Sequence, residues 1–91
     1  MKWIEIIKLQ VADSDRESVK HELSKLISKI EHKGGLYNVK AYYNALVSSD
    51  LSINLYWEDG KVEPQGSAAG LGLIYVLKTF GLTSHSVWIE Q

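Results

Sequence analysis

The chain has 91 residues, a formal net charge of −1 from 10 basic and 11 acidic residues, and no cysteine. This length suits a single domain with one hydrophobic core, over residues 1–91. The balanced charge argues against nucleic acid and anionic membranes as partners, because both are bound by clustered Lys and Arg. The absence of cysteine excludes disulfides, thiolate metal sites and thiol catalysis.

The first predicted element is a strand over Trp3–Val11, which is rich in β-branched and aromatic residues. Glu5 and Lys8 interrupt its apolar character before a signal-peptide core could form. The longest apolar-rich stretch, Ala68–Leu77, is too short to span a bilayer. We therefore expect a cytoplasmic protein without membrane insertion. Both faces of the strand are mixed, with Trp3, Glu5, Ile7, Leu9 and Val11 on one and Ile4, Ile6, Lys8 and Gln10 on the other.

A capped helix is predicted next. Ser14 and Glu17 fit a capping box, in which each side chain bonds the other residue's backbone amide. Apolar residues then recur at helical spacing and predict one buried stripe, formed by Val19, Leu23, Leu26, Ile27 and Ile30. Gly34-Gly35 is expected to close the helix, because glycine adopts positive φ without strain.

Two strands are predicted after this helix, over residues 36–44 and 51–58, with an Asp59-Gly60 turn behind the second. The earlier strand places Tyr37, Val39, Ala41 and Tyr43 on one face and Leu36, Asn38, Lys40 and Tyr42 on the other. The later strand alternates strictly, with Leu51, Ile53, Leu55 and Trp57 opposite Ser52, Asn54, Tyr56 and Glu58.

A second helix is predicted from about Ser67 to Phe80, with Ser67 as its N-cap and Gly81 as its C-terminal stop. A fourth strand follows over residues 84–90, with Val87 and Ile89 opposite Trp88. The resulting order, βαββαβ, predicts a ferredoxin-like α+β sandwich with an antiparallel sheet and both helices on one face.

The sheet face without helices is expected to be a dimer interface. Its candidate residues combine apolar, aromatic and hydrogen-bonding side chains, namely Ile4, Ile6, Tyr42, Asn54, Tyr56 and Trp88. A contiguous patch of this kind on a free monomer usually marks an interface, and pairing of two copies is the simplest explanation. The alternative is that these are scattered surface aromatics, which are common.

The chain resembles the dimeric α+β barrel superfamily, which includes the antibiotic-biosynthesis monooxygenases. The resemblance lies in the element order, in Gly34-Gly35-Leu36-Tyr37 after the first helix, and in Leu55-Tyr56-Trp57-Glu58-Asp59 at the end of the third strand. It implies that two sheets face each other in a dimer, and that a ligand enters between sheet and helices. Trp57 matches the tryptophan that ends the third strand in many members.

The haem-degrading branch of that superfamily adds an Asn on the first strand and a His on the second helix. Here the first strand has no Asn, and His85 falls after the helix. The resemblance therefore implies the fold and not this chemistry, and no cofactor is expected.

Other chemical patterns are weak. Gly66, Gly70 and Gly72 precede or open a helix, but they match neither common phosphate-loop pattern, and close packing of the helix explains them better. The three histidines have no metal-ligand spacing, so no metal site is expected. The sequence does not assemble a Ser-His-Asp grouping.

The remaining candidate site is a ligand pocket walled by aromatic residues that face the helices, with Trp3, Tyr37, Tyr43 and Trp57 as candidates. Such walls suit a small planar ligand, but an ordinary aromatic core explains them better.

Two functions follow as hypotheses, and the sequence leaves open whether the protein is an enzyme. One is a homodimeric domain that binds a small molecule or a partner without catalysis. The other is a cofactor-free monooxygenase or isomerase acting on a small aromatic or quinone-like substrate. An amino-acid-binding module of ACT type is disfavoured because the turn after the first strand lacks glycine. An RNA-binding RRM is disfavoured because the third strand lacks the basic-glycine-aromatic signature of that family.

Overall fold

The computed structural model describes residues 2–58 and 61–91. Its elements follow the predicted βαββαβ order, as β1 (Trp3–Val11), α1 (Arg16–Ile30), β2 (Leu36–Tyr43), β3 (Asp50–Trp57), α2 (Ala68–Leu77) and β4 (Gly81–Ile89). The turn predicted at Asp59-Gly60 lies outside the described residues. No helix within the described ranges is long and apolar enough to cross a membrane.

The four strands form one antiparallel sheet in the order β2-β3-β1-β4, so β1 and β3 are central. Trp3 is paired with Trp57 on one side and with Ile89 on the other. The ferredoxin-like α+β class predicted from the sequence is confirmed.

The mixed faces of β1 are assigned by burial. Its odd positions, Trp3 to Val11, are all buried under the helices, and its even positions are half-buried or exposed on the opposite face. The buried set is apolar except for Glu5, which has no exposed surface.

One hydrophobic core lies between the sheet and the helices. Its buried members are Trp3, Ile7, Leu9, Val11, Val19, Leu23, Ile30, Leu36, Leu51, Ile53, Leu55, Trp57, Leu73 and Leu77. Each such side chain contributes roughly 1.5–3 kcal/mol on burial. The stripe predicted on α1 supplies three of these buried residues, Val19, Leu23 and Ile30. The other two residues of the stripe, Leu26 and Ile27, pack at the edge of the core.

The capping box predicted at the start of α1 is wrong. A 3-10 turn over Asp13–Asp15 precedes the helix, and the amide of Asp15 donates to the Ala12 carbonyl oxygen over 2.9 Å. Ser14 is therefore inside a helical turn and lacks the extended backbone of an N-cap residue, and no side chain caps α1. The helix also ends earlier than predicted, at Ile30 with Glu31 as its C-cap, and Gly35, with a φ of 85°, lies in the turn before β2.

The predicted face of Leu36 is also wrong. An irregularity between Leu36 and Asn38 pairs Leu36 with Trp57 and Asn38 with Tyr56. The extra residue reverses the alternation, so Leu36 is buried in the core while Asn38 points away from it.

The second helix ends earlier than predicted, and Gly81 has a different role. Lys78 is the C-cap of α2, and Gly81 is the first residue of β4. A side chain at Gly81 would overlap the backbone carbonyl of Gln10, which explains why the strand begins with glycine.

Candidate functional site

The buried Glu5 carboxylate is the centre of a polar cluster between the sheet and α2. Its Oε1 accepts from Trp57 Nε1 over 2.8 Å and from the Ser67 hydroxyl. Its Oε2 accepts from the Ser67 amide over 3.1 Å and lies 2.8 Å from His85 Nε2. A carboxylate only accepts hydrogen bonds, so four donors converge on Glu5 when the His85 proton is assigned to Nε2.

The start of α2 brings Ser67 to Glu5. Ser67 is the N-cap, as predicted, with extended backbone angles, and its Oγ accepts from the Gly70 amide over 3.0 Å. Its own amide and hydroxyl point to Glu5, which therefore acts as the anion at this helix N-terminus.

The cluster fits because two neighbouring residues are glycines without side chains. A Cβ on Gly70 would overlap Glu5 Oε2, and a Cβ on Gly66 would overlap the His85 ring. Gly66 also has a φ of 107°, which side chains with a Cβ rarely adopt. The packing explanation favoured from the sequence therefore fits these two glycines, whereas a Cβ on Gly72 would meet nothing within 4 Å.

The grouping of Ser67, Glu5 and His85 differs from a nucleophilic triad. In a triad the histidine lies between the serine and the carboxylate and takes the serine's proton. Here the carboxylate lies in the middle, and Ser67 and His85 bond to different oxygens. The hydroxyl therefore has Glu5 as its proton acceptor.

Trp57 joins this cluster to an aromatic wall. The rings of Trp3 and Trp57 stack with centroids 5.2 Å apart and planes 13° from parallel. The hydrogen bond to Glu5 fixes the Trp57 ring, and Trp57 holds Trp3 through the stack. Among the buried side-chain nitrogens and oxygens of residues 2–58 and 61–91, Trp3 Nε1 has no hydrogen-bond partner.

A cavity of about 530 Å³ opens beside the stacked tryptophans. It lies between the C-terminal part of α1 and the first two turns of α2. Trp3, Trp57 and Ser67 lie on its wall, together with Leu26, Lys29, Ile30, Lys33, Gly34, Lys61, Glu63, Ala68, Ala69, Gly72 and Leu73. Glu5 lies directly behind Trp57 and Ser67.

The structure brings Trp3 and Trp57 to this cavity, and it does not bring the two tyrosine candidates there. Tyr37 lies at the β2 irregularity, half exposed, and packs on Tyr56 with centroids 6.1 Å apart. Tyr43 ends the same edge strand, and its exposed ring lies against Arg16. An edge strand carries its side chains away from the centre of the helix layer.

The six candidate residues of the dimer face lie on the side of the sheet without helices. The register places Ile4 between Tyr56 and Trp88, and Ile6 next to Asn54. Tyr42 and Trp88 are exposed, and the other four are half-buried. Tyr56 raises the pKa of Tyr42 above its ordinary value, because its neighbouring side chain favours the neutral form of the Tyr42 hydroxyl.

Sequence reasoning missed the cluster of Glu5, Ser67 and His85. One signal was present, because Glu5 is the single charged residue on the otherwise apolar face of β1. A buried carboxylate requires donors, and the partners lie up to 80 positions away. Within the described residues there is no group of three or more metal-binding side chains.

Comparison with known proteins gives the fold. No family model matches the chain, and no curated protein matches it either. Solved structures match over almost all of both chains. A conserved protein from Methanosarcina mazei shares 15% identity with a TM-score of 0.82, covering 100% of this chain and 94% of that one.

A protein from Mycobacterium tuberculosis shares 14% identity with a TM-score of 0.78, over 100% of this chain and 96% of that chain. A protein from Nitrosomonas europaea described as an antibiotic biosynthesis monooxygenase shares 10% identity with a TM-score of 0.77. The match covers 98% of this chain and 89% of that chain. The structural neighbours are thus proteins of the antibiotic-biosynthesis-monooxygenase type, and the chain shares their fold.

Proposed function

We propose that the protein is a homodimer that binds a small aromatic molecule in the cavity beside Trp3 and Trp57. The carrying observation is that this cavity of about 530 Å³ has a stacked tryptophan wall fixed by a fully buried carboxylate. Ordinary cores do not need a charged residue to orient an aromatic ring, because burying a charge is costly unless every partner is in place.

The size and lining of the cavity support a small planar ligand. Ligand pockets of about 300–1,000 Å³ combine apolar walls with a few fixed polar groups. Trp57 offers a rigid aromatic surface, and the Ser67 hydroxyl supplies a polar group at the inner end. The aliphatic side chains of Leu26 and Leu73 complete the wall.

Ligand binding is tested by titrating the protein with a panel of naphthalene, indole and quinone derivatives, using calorimetry. Compounds of the right class are expected to bind with one site per subunit. The matched variants Leu73→Trp and Tyr75→Trp distinguish the cavity from the surface, because Leu73 lines the cavity whereas Tyr75 is exposed on the same helix. Filling the cavity should abolish binding, and the surface variant should bind normally.

The dimer component is supported by the side of the sheet opposite the helices. Its half-buried isoleucines and exposed aromatics form a continuous patch across three adjacent strands. The superfamily that the sequence resembles pairs its sheets through this face. Sedimentation equilibrium is expected to give twice the chain mass, and a strict monomer at high concentration would contradict this part of the proposal.

Cofactor-free catalysis is a second candidate, favoured by the contact between Ser67 and Glu5. The Ser67 hydroxyl lies on the cavity wall and donates to Glu5, while one of its two lone pairs accepts from Gly70. A ring hydroxyl of a substrate could use the second lone pair. Ser67 would then take the substrate's proton while passing its own to Glu5, leaving a ring oxyanion able to tautomerise or to react with dioxygen.

This relay is tested by measuring oxygen uptake and product formation with hydroxylated naphthalenes. Ser67→Ala should lose activity, and Ser67→Thr, which keeps a hydroxyl, should restore it. Equal activity of the alanine variant and the wild type would refute the relay. Binding without turnover in the wild type would leave the protein a binding protein.

A further inference from the structure

The cavity is backed by a buried carboxylate at its inner end and lined by lysines at its rim, from which we infer that its ligand is a hydroxylated aromatic anion. The ring lies against the tryptophans with its hydroxyl toward Ser67, and the anionic group lies among lysines at the rim. This inference rests on the proposed function, because it names the ligand class of the same cavity.

The inner end is backed by a buried carboxylate and offers a hydrogen-bond acceptor. Glu5 is fully buried immediately behind Trp57 and Ser67, and it bonds to both. A second anionic group at this end would be repelled at short range in a water-poor site. A neutral hydroxyl would instead find the remaining lone pair of Ser67 Oγ, so this end selects a hydrogen-bond donor.

The rim is positive. Lys29, in the last turn of α1, and Lys33, in the turn that follows the helix, both line the cavity, and Lys61 approaches from the segment before α2. Among residues 2–58 and 61–91, Glu63 is the one acidic residue that lines the cavity. The chain as a whole has a net charge of −1, so three lysines against one carboxylate among these described residues is a local enrichment.

Glu5 already occupies part of the N-terminus of α2. The amide of Ser67 and its hydroxyl bond to Glu5, and the Gly70 amide bonds to Ser67. An anion placed here would lie beside this carboxylate, whereas the lysines at the rim offer positive charge, so the anionic group of the ligand is assigned to the rim.

The test compares 6-hydroxy-2-naphthoate with 2-naphthol, which share the ring and hydroxyl and differ in the carboxylate. Calorimetry at low salt is expected to show the naphthoate binding about tenfold tighter. Most of that advantage should disappear at high salt, because exposed charges are screened. The double variant Lys29→Gln/Lys33→Gln should remove most of the advantage, whereas Lys20→Gln, exposed on the side of α1 opposite Lys29, should not.

The outcomes separate the two proposals. Equal binding of both compounds, or a naphthoate advantage that the double variant leaves intact, overturns the charge inference and leaves ligand binding in the cavity standing. Binding of neither compound overturns the inference as well. If every naphthalene, indole and quinone derivative in the wider panel binds Leu73→Trp as it binds the wild type, the proposed function itself fails.

Discussion

His85 Nε2 lies 2.8 Å from Glu5 Oε2, although the two residues are 80 positions apart in the sequence. The contact joins the last strand to the first beneath the start of α2. Gly66 and Gly70 flank it, and neither can gain a side chain without striking one of the two partners. Gly66 and Gly70 are therefore explained by the buried contact between the Glu5 carboxylate and the His85 ring.

Gly70→Ala is expected to destabilise the protein by about 1–3 kcal/mol, the usual effect of inserting a methyl group into a tightly packed interior. The new Cβ would overlap Glu5 Oε2, and that carboxylate is held by four donors and cannot retreat easily. Urea unfolding followed by tryptophan fluorescence measures the change.

The matched control is Gly72→Ala, two residues further along α2, where a Cβ would meet nothing within 4 Å. This variant should be neutral or gain up to about 1 kcal/mol from helix propensity. Equal effects of the two substitutions would show that the space beside Glu5 is unimportant.

Glu5→Gln is expected to destabilise the protein by about 3 kcal/mol, a typical loss when one member of a buried charged cluster is removed. The amide keeps the shape but places its own donor against donors from Trp57, Ser67 or His85. The free energy of unfolding in urea measures the loss. Glu17→Gln, at an exposed position in α1, serves as the control and should change stability by less than about 0.5 kcal/mol.

A change below about 0.5 kcal/mol for Glu5→Gln would contradict the view that the four donors require a carboxylate. The same variant should shift the emission of the tryptophans, since Trp57 would lose its fixed acceptor. That spectral change separates a local effect on the cavity wall from a general loss of stability.

The fold was predictable because alternation and helical spacing are local properties of the sequence. The strict alternation of β3 identified its buried face, whereas the two mixed faces of β1 left its buried face open until the structure showed it. The face of Leu36 was not predictable, because an irregularity in strand pairing depends on the partner strand. A one-residue shift in the pairing places a side chain on the face opposite to the one that alternation predicts.

The site was predictable only in part. Trp57 could be placed under the helices from the alternation of β3, whereas Trp3 belongs to a strand whose two faces are both mixed and was placed by the structure. Glu5 was visible as an exception, but its partners come from α2 and β4, and no spacing rule connects them. Ser67 was identified as an N-cap, and its second bond, to Glu5, depends on how α2 docks on the sheet.

Tyr42 is expected to lose its proton at a higher pH than an ordinary tyrosine, whose pKa is about 10. The neighbouring side chain of Tyr56 raises the pKa of Tyr42 by favouring its neutral form. The resulting stabilisation is fully present below the unfolded pKa and is lost as the pH rises through the raised folded pKa. Near-ultraviolet absorbance of tyrosinate during an alkaline titration measures this step.

Tyr56→Phe should move the Tyr42 titration to lower pH, and Tyr42→Phe should remove that step from the curve. Tyr75→Phe, at an exposed site on α2, is the control and should leave the Tyr42 step in place. If Tyr56→Phe leaves the titration unchanged, the two side chains do not interact in solution.

Ile6→Asp is expected to convert the proposed dimer to a monomer without unfolding it. Ile6 is half-buried on the face away from the helices, between Asn54 and Ser86, and it contributes nothing to the core. An unpaired charge at the centre of an interface weakens association by about 3 kcal/mol, or about a hundredfold in dissociation constant. Sedimentation velocity over a range of concentrations measures the shift, and circular dichroism checks the fold.

The control for this variant is Leu71→Asp, which places the same charge on the exposed side of α2. It should leave the sedimentation coefficient unchanged. If Leu71→Asp dissociates the dimer and Ile6→Asp does not, the protein pairs through its helices, and the cavity between α1 and α2 would then lie at the subunit boundary. That result would move the binding site from one subunit to two and change the expected number of ligands per dimer.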